Sequence, residues 1–334
     1  MVNKNGVRFG RRAVETERMP DAICAQKGCW QMLKYTIKRV LLAVVTVFII
    51  SAVTFFAMNA IPGGPFAKEK APDPAAQAAL EARFNLDKPI SQQFFIYLNN
   101  LLHGDFGISL KTGREISQII GEKFTVSAKV GGIAAGCAIV LGLILGSVAA
   151  LCRNRWPDRL IIFLTTLFVS VPSFILATIL LLVFALTLKW VGVFDANNPN
   201  YVLPVISLML YPMSYITRLT KSSMLDVLGQ DYIRTARAKG VRDSLVIFKH
   251  ALRNALIPVI TYVGPMVAYI LTGSMVVETV FTIGGLGTEF VRSINNQDYP
   301  LIMATTIFLA VLMVIATLIS DLVYKLVDPR ITFD

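Results

Sequence analysis

Histidine and cysteine are scarce in this chain: two His (His103 and His250) and four Cys in 334 residues. Too few of them stand at ligand spacing for a zinc site, and Cys24, Cys29, Cys137 and Cys152 do not make a disulfide framework. There is no Ser-His pairing, no HExxH and no paired Asp within an apolar run, which argues against a membrane-embedded hydrolase. No GxxxxGK[ST] loop occurs, so the chain lacks the usual cradle for hydrolysing ATP. Charge is thin as well, at 16% of residues, and it is nearly missing from long stretches.

What fills those stretches is apolar bulk, 55% of the chain. A span needs about 20 predominantly apolar residues to cross roughly 30 Å of hydrocarbon. Six runs qualify, at 40–61, 130–151, 160–188, 201–217, 255–277 and 301–327. The fourth is short and carries Pro204 and Pro212, and the third carries Pro172 in SVPSF, which predicts a packing kink. The expected fold class is therefore all-α integral membrane with six transmembrane helices.

The net charge of +11 is unevenly placed. Residues 1–39, 152–159, 218–254 and 321–334 hold 22 Lys and Arg against 10 Asp and Glu, whereas 62–129, 189–200 and 278–300 hold 10 against 11. Basic excess marks cytoplasmic loops, so both termini are expected in the cytoplasm. The charge then reports topology and contact with the lipid bilayer, and nucleic acid is not needed to explain it.

Four regions follow. Residues 1–31 read as a flexible cytoplasmic extension; 32–61 as an amphipathic elbow helix (WQMLKYTIKR) and the first span; 62–125 as a small helical extracytoplasmic domain; and 126–334 as the remaining spans with a cytoplasmic loop at 218–254. Within 62–125, two short helices are expected, one opening at Asp73-Pro74 and one at Pro89 with Phe94, Phe95, Leu98, Leu101 and Leu102 along one side. The HGDFGISLKTG segment turns the chain back. TIGGLGTEF at 282–290 reads as a turn, and Lys129 and Glu278 as anchors at the interface.

The loop at 231–261 carries the most information. Asp231, Tyr232, Ile233, Arg234, Thr235, Ala236, Arg237, Ala238 and Lys239 favour a helix of two to three turns, with Ile233, Ala236 and the stem of Lys239 or Gly240 at three- and four-residue spacing. Gly240 supplies a C-terminal cap. Such a helix is too short to span anything. Small Thr235, Ala236 and Ala238 offer a low surface to a partner's groove, while Arg234, Arg237 and Lys239 snorkel or pair. A second helical segment, 243–256, leads back to the membrane.

IRTARAKG followed by FKHALRNALIPV resembles the cytoplasmic loop of permease subunits of binding-protein-dependent ABC importers, in the oligopeptide, dipeptide and nickel branch. MLKYTIKRVLL, FNLDKPISQQFFIYL, LLHGDFGISL, SVPSF, GSMVVETVFTIGGLG and LVDPRI resemble the same subunit in order, from residue 32 to the C-terminus. The long external loop resembles the first, B-type, permease of such systems. One departure is that Arg234 and Thr235 stand where the broad importer motif has Glu and Ala, so no contact through that Glu carries over.

The resemblance implies a type I importer permease fold in the cytoplasmic (inner) membrane, without catalysis of its own, with 231–240 as the coupling helix. It implies as partners a second homologous permease subunit, two ATPase subunits holding ATP and Mg, an extracytoplasmic substrate-binding protein, and a peptide as cargo. Dipeptide or nickel import, or a stand-alone secondary transporter or channel, are the alternatives.

Overall fold

The computed structural model describes residues 21–60, 88–195 and 198–327, with side chains from 36 to 321 within those stretches. The chain divides into two units, Met1–Thr46 with Phe333–Asp334, and Val47–Thr332. In the first unit the described part is the start of helix α1, Asp21–Asn59, which exposes Ile37, Val40, Leu41, Leu42, Val44 and Val45. The helix is continuous. The expected elbow at Trp30–Arg39 is therefore not set apart from the span by a break, and residues 21–31, expected as part of an extension, are helical. Residues 1–20 lie outside the described residues.

Among the described residues, five helices are long and apolar enough to cross a membrane, the first of them Thr36–Asn59 within α1, and six when a bent pair is taken as one span. The chain is thus an integral membrane protein. Helix α2 (Ile90–Leu102) starts where Pro89, extended at φ −54 and ψ 140, fixes its entry. Its inner side is narrower than expected. Phe94 is buried against Phe55, Met58, Ile302, Met303 and Ile307, with Leu98 and Leu101 beside it, but Phe95 and Leu102 are exposed. Two adjacent positions on a helix point about 100° apart, so Phe95 and Leu102 leave the contact that Phe94 and Leu101 make. The other expected helix, at 73–84, lies outside the described residues.

Gly104, Gly107 and Gly113 adopt φ of 78°, 79° and 66°, turning the chain into helix α3, Ile116–Leu151. This helix begins nine residues before the expected end of the external loop and 14 before the expected second span. Its first turns are amphipathic, burying Ile116, Ile119 and Ile120 against Leu286, Leu301 and Ala304, so they escape a search for continuous apolar sequence.

Helix α4 (Trp156–Ser170) and helix α5 (Ser173–Leu180, running on as π-helix through Leu181–Thr187) form the bent pair, at 106°. The expected kink is a near right-angle break. Val171 is forced out of helical geometry before Pro172 (φ −90, ψ 128), and Pro172 then starts the new helix. Helix α6 (Val202–Leu228) outruns the expected 201–217 by one end and keeps Pro212 inside. Helix α8 (Ile257–Leu271), α9 (Met275–Val280), α10 (Leu286–Asn295) and α11 (Tyr299–Val327) complete the bundle.

The α3–α6 pair is the spine of the bundle. Small residues on α3 let the two backbones close: a Cβ at Gly142 would stand 2.7 Å from the Ile216 side chain, and one at Gly146 would stand 2.6 Å from the Thr217 carbonyl oxygen. Without a hydrophobic driving force in lipid, this close packing is what holds span to span.

Candidate coupling site

Two residues after α6 ends, Asp231–Ala238 forms helix α7. Gln230 precedes it in extended geometry, Asp231 stands in its first turn and Arg237 in its last, the favourable order for the helix dipole. Gly240 closes it at φ +75°, where an L-residue is strained. The Val241 N–H donates to the Ala236 carbonyl at 3.2 Å and the Gly240 N–H to the Arg237 carbonyl at 2.9 Å, the paired bonds of a Schellman cap. The expected helix and its glycine cap are thus both present.

One side of α7 is anchored. Ile233 is fully buried with Val246 and Ala251, and Val227, Leu228, Ala236 and Val241 pack around them. Tyr232 is also tied, its hydroxyl accepting a hydrogen bond from Asn254 Nδ2 at 2.8 Å. The other side is open: Arg234, Thr235, Arg237, Ala238 and Lys239 are exposed. Of the three small residues expected on a docking surface, Thr235 and Ala238 lie there, while Ala236 is half-buried against the anchor. Arg234 reaches Asp231 at 3.5 Å and Arg237 reaches Asp243 at 3.6 Å, both pairs solvated and each worth at most about 1 kcal/mol.

The return segment is not the single helix expected over 243–256. Asp243–Leu245 opens it, Val246–Leu252 is π-helical and Arg253–Ala255 closes it. The wider turn places both Val246 and Ala251 against Ile233, and π-helical segments often mark functional sites. Nearby, Asp158 on α4 is buried and accepts from Lys221 on α6, while the Asn154 N–H donates to its second oxygen at 2.9 Å. The first turn of α4, the last turns of α6 and α7 are therefore one linked assembly.

At the opposite end of the bundle stands a second polar cluster. Glu278 on α9, expected as an interface anchor, is buried. Ser127 Oγ on α3 donates to its Oε1 at 2.6 Å and the Thr288 N–H to its Oε2 at 2.9 Å; Ser127 in turn accepts from the Leu286 N–H at 2.8 Å. The glycines expected as a plain turn also serve close approach. A Cβ at Gly285 would lie 2.5 Å from the Glu278 carboxylate carbon. The clustering of Gly around Glu in GSMVVETVFTIGGLG was the one signal for this cage, and Ser127 gave none. Lys129, by contrast, is exposed on α3.

The bundle of lipid-length helices with a short, capped helix held outside it matches a chain in a structure titled inward facing conformations of the MetNI methionine ABC transporter, with TM-score 0.51 and 15% identity, covering 64% of this chain and 97% of that one. The fold is that of an ABC importer permease. Residues 138–333 match the family described as "Binding-protein-dependent transport system inner membrane component", and residues 32–133 its N-terminal counterpart. The chain belongs to that family. It is 46% identical over 302 residues to the dipeptide transport system permease protein DppB of Bacillus subtilis (90% of this chain, 98% of the relative). To the oligopeptide transport system permease protein OppB of Haemophilus influenzae it is 42% identical over 307 residues (90% and 100%).

Proposed function

We propose that this chain is one of two permease subunits of an ATP-driven peptide importer in the cytoplasmic membrane, with both termini and α7 in the cytoplasm. The observation that carries the reading is the division of α7 into an anchored side at Ile233 and an open side at Thr235, Ala238 and Lys239. A helix held this way can be pushed as a rigid piece. Its anchor residues Val227 and Leu228 are the end of α6, and α6 is locked to α3 through Gly142 and Gly146.

Energy comes from two ATPase subunits, which hold ATP and Mg; this chain contributes no catalytic group. A second homologous permease supplies the other half of the pathway, and an extracytoplasmic binding protein delivers the peptide. Closure of the ATPases on ATP, differing in affinity between two states, shifts the bundle between outward- and inward-open forms. The names of the relatives support peptide cargo, oligopeptide or dipeptide.

The test is peptide uptake and ATP hydrolysis by the reconstituted complex, with and without the binding protein, for wild type and Ala238→Arg. Assembly retained with loss of peptide-stimulated hydrolysis and uptake is expected. Normal transport by an assembled Ala238→Arg complex would leave α7 as a topological anchor only.

A further inference from the structure

The outward faces of most spans are what lipid requires. Val140, Ile144 and Val148 line that of α3, and Val311, Ile315 and Ile319 that of α11. Surface threonines conform too, because Thr166, Thr178 and Thr317 turn their hydroxyls back to carbonyls of their own helices at 2.6 to 2.8 Å. One face does not conform. Along α6, Tyr211, Tyr215, Ser222 and Asp226 are exposed at helical spacing, and on α8 Tyr269 is 69% exposed. Tyr215 stacks on Tyr262 of α8 with ring centroids 4.2 Å apart and planes at 29°. None of these four tyrosine hydroxyls has a hydrogen-bond partner among the described residues.

Position rules out the ordinary explanation for the middle of this face, while Tyr269 stands two residues from the end of α8. Tyr211 lies about 14 Å along α6 from Val202, and Lys221 lies about 15 Å further on, so Tyr211 stands near the middle of the hydrocarbon and not at an interfacial aromatic belt. A phenol facing lipid there would be unsatisfied. The α3–α6 seam closes on small residues, Gly142 and Gly146 against Ile216, Thr217 and Thr220, whereas this face presents bulky rings. The polar stripe instead continues through Arg218, which donates to Thr166 of α4 at 3.0 Å, to Ser222 and Asp226, beside α7, and so opens to water at that end.

We propose that the Tyr211, Tyr215, Tyr262 and Tyr269 face is a peptide-contact site in the translocation pathway. The phenol rings stack on backbone and apolar side chains of a passing peptide, and their hydroxyls replace water at its amide groups. Aromatic faces accept many side chains, and contacts made without ion pairing release what they bind, as conduction needs. Pro265, on the same face between Tyr262 and Tyr269, cannot donate to the Thr261 carbonyl, leaving that acceptor without its helical partner. Because α6 runs directly into α7, movement of the docking helix moves this tier.

The site rests on the peptide-importer reading, and the experiment separates the two. In the full reconstituted complex, with Cys24, Cys29, Cys137 and Cys152 replaced by Ser, Tyr215→Cys and Tyr269→Cys are exposed to a membrane-impermeant methanethiosulfonate, with Ile144→Cys for comparison. The tyrosine positions are expected to label and Ile144→Cys not. A hexapeptide that wild type takes up, at about ten times its Kd, is expected to slow labelling about tenfold by simple occupancy. A second measurement needs no variant: the same peptide carrying benzoylphenylalanine is photolysed in the wild-type complex, and adducts are expected on α6 and α8. Tyrosine positions that stay as unreactive as Ile144→Cys, covered by lipid or by the second permease, overturn the site. So does labelling without protection, or adducts confined to other helices. If wild type takes up no peptide at all, the cargo reading falls and this site with it; if uptake is intact and protection absent, the site alone falls.

Discussion

Ser127 Oγ on α3 donates to Glu278 Oε1 on α9 at 2.6 Å, joining residues 151 positions apart. The same carboxylate accepts from the Thr288 N–H, and the Leu286 N–H donates to Ser127, so one acidic side chain closes the start of α10 onto α3. Losing the acceptor leaves buried donors unmet, at about 1–3 kcal/mol for each. Glu278→Ala is therefore expected to lower the melting temperature of the purified protein in detergent by several degrees. Glu278→Gln, which keeps one carbonyl oxygen, is expected to lose less. An unchanged melt for Glu278→Ala would mean that the cage contributes nothing to holding α10.

The glycines around that carboxylate offer an independent check. Alanine at Gly285 puts a Cβ 2.5 Å from the Glu278 carboxylate carbon, and at Gly287 one 2.8 Å from the Met275 backbone nitrogen, whereas Gly132 has nothing within 4 Å. Overpacking of this kind costs about 1–3 kcal/mol. Gly285→Ala and Gly287→Ala should both reduce the yield and thermal stability of the protein, and Gly132→Ala should match wild type. Equal behaviour of all three would show that the 282–290 segment shifts freely to accommodate a methyl group.

These two elements mark what local sequence reveals and what it does not. Helix α7 was legible because its determinants are contiguous: helix formers from Asp231, the three- and four-residue spacing of Ile233 and Ala236, and Gly240 at the cap. Glu278 was misread as an interface anchor because its partner, Ser127, is remote, and a carboxylate beside an apolar run looks the same whether it is caged or solvated. Pro172 announced a break, but a proline in the sequence does not state its size, and the 106° between α4 and α5 was not legible. The early start of α3 at Ile116 was hidden for a different reason, since a span search rewards continuous apolar sequence and these turns are amphipathic.

The buried pair of Asp158 and Lys221 is expected to behave unlike a surface ion pair. Asp158 is 5% exposed and held also by the Asn154 N–H. Removing only Lys221, as in Lys221→Met, leaves a buried carboxylate without its cation and is expected to destabilise by about 3–5 kcal/mol, whereas the double change Asp158→Leu with Lys221→Leu recovers much of that loss. A double-mutant cycle read by thermal unfolding measures the coupling. Additive losses in the cycle would show the two side chains to be energetically independent despite their contact.

The anchored and open sides of α7 predict opposite consequences for neighbouring substitutions. An eight-residue helix has too little stability of its own to persist in water, so α7 depends on Ile233. Ile233→Ala empties the pocket formed with Val246 and Ala251 and is expected to cost about 2–5 kcal/mol, releasing the helix. Amide hydrogen exchange across 231–241 should then accelerate, and peptide uptake should fall while the subunits still assemble. Gly240→Ala forces a Cβ into a left-handed position and costs about 1 kcal/mol, which places it between Ile233→Ala and wild type on the same exchange scale. Lys239→Ala removes only a solvated charge and should leave exchange as it is. If exchange in Ile233→Ala were unchanged, the helix would be held by its loops and not by its buried face, and motion of α6 would not follow from motion of α7.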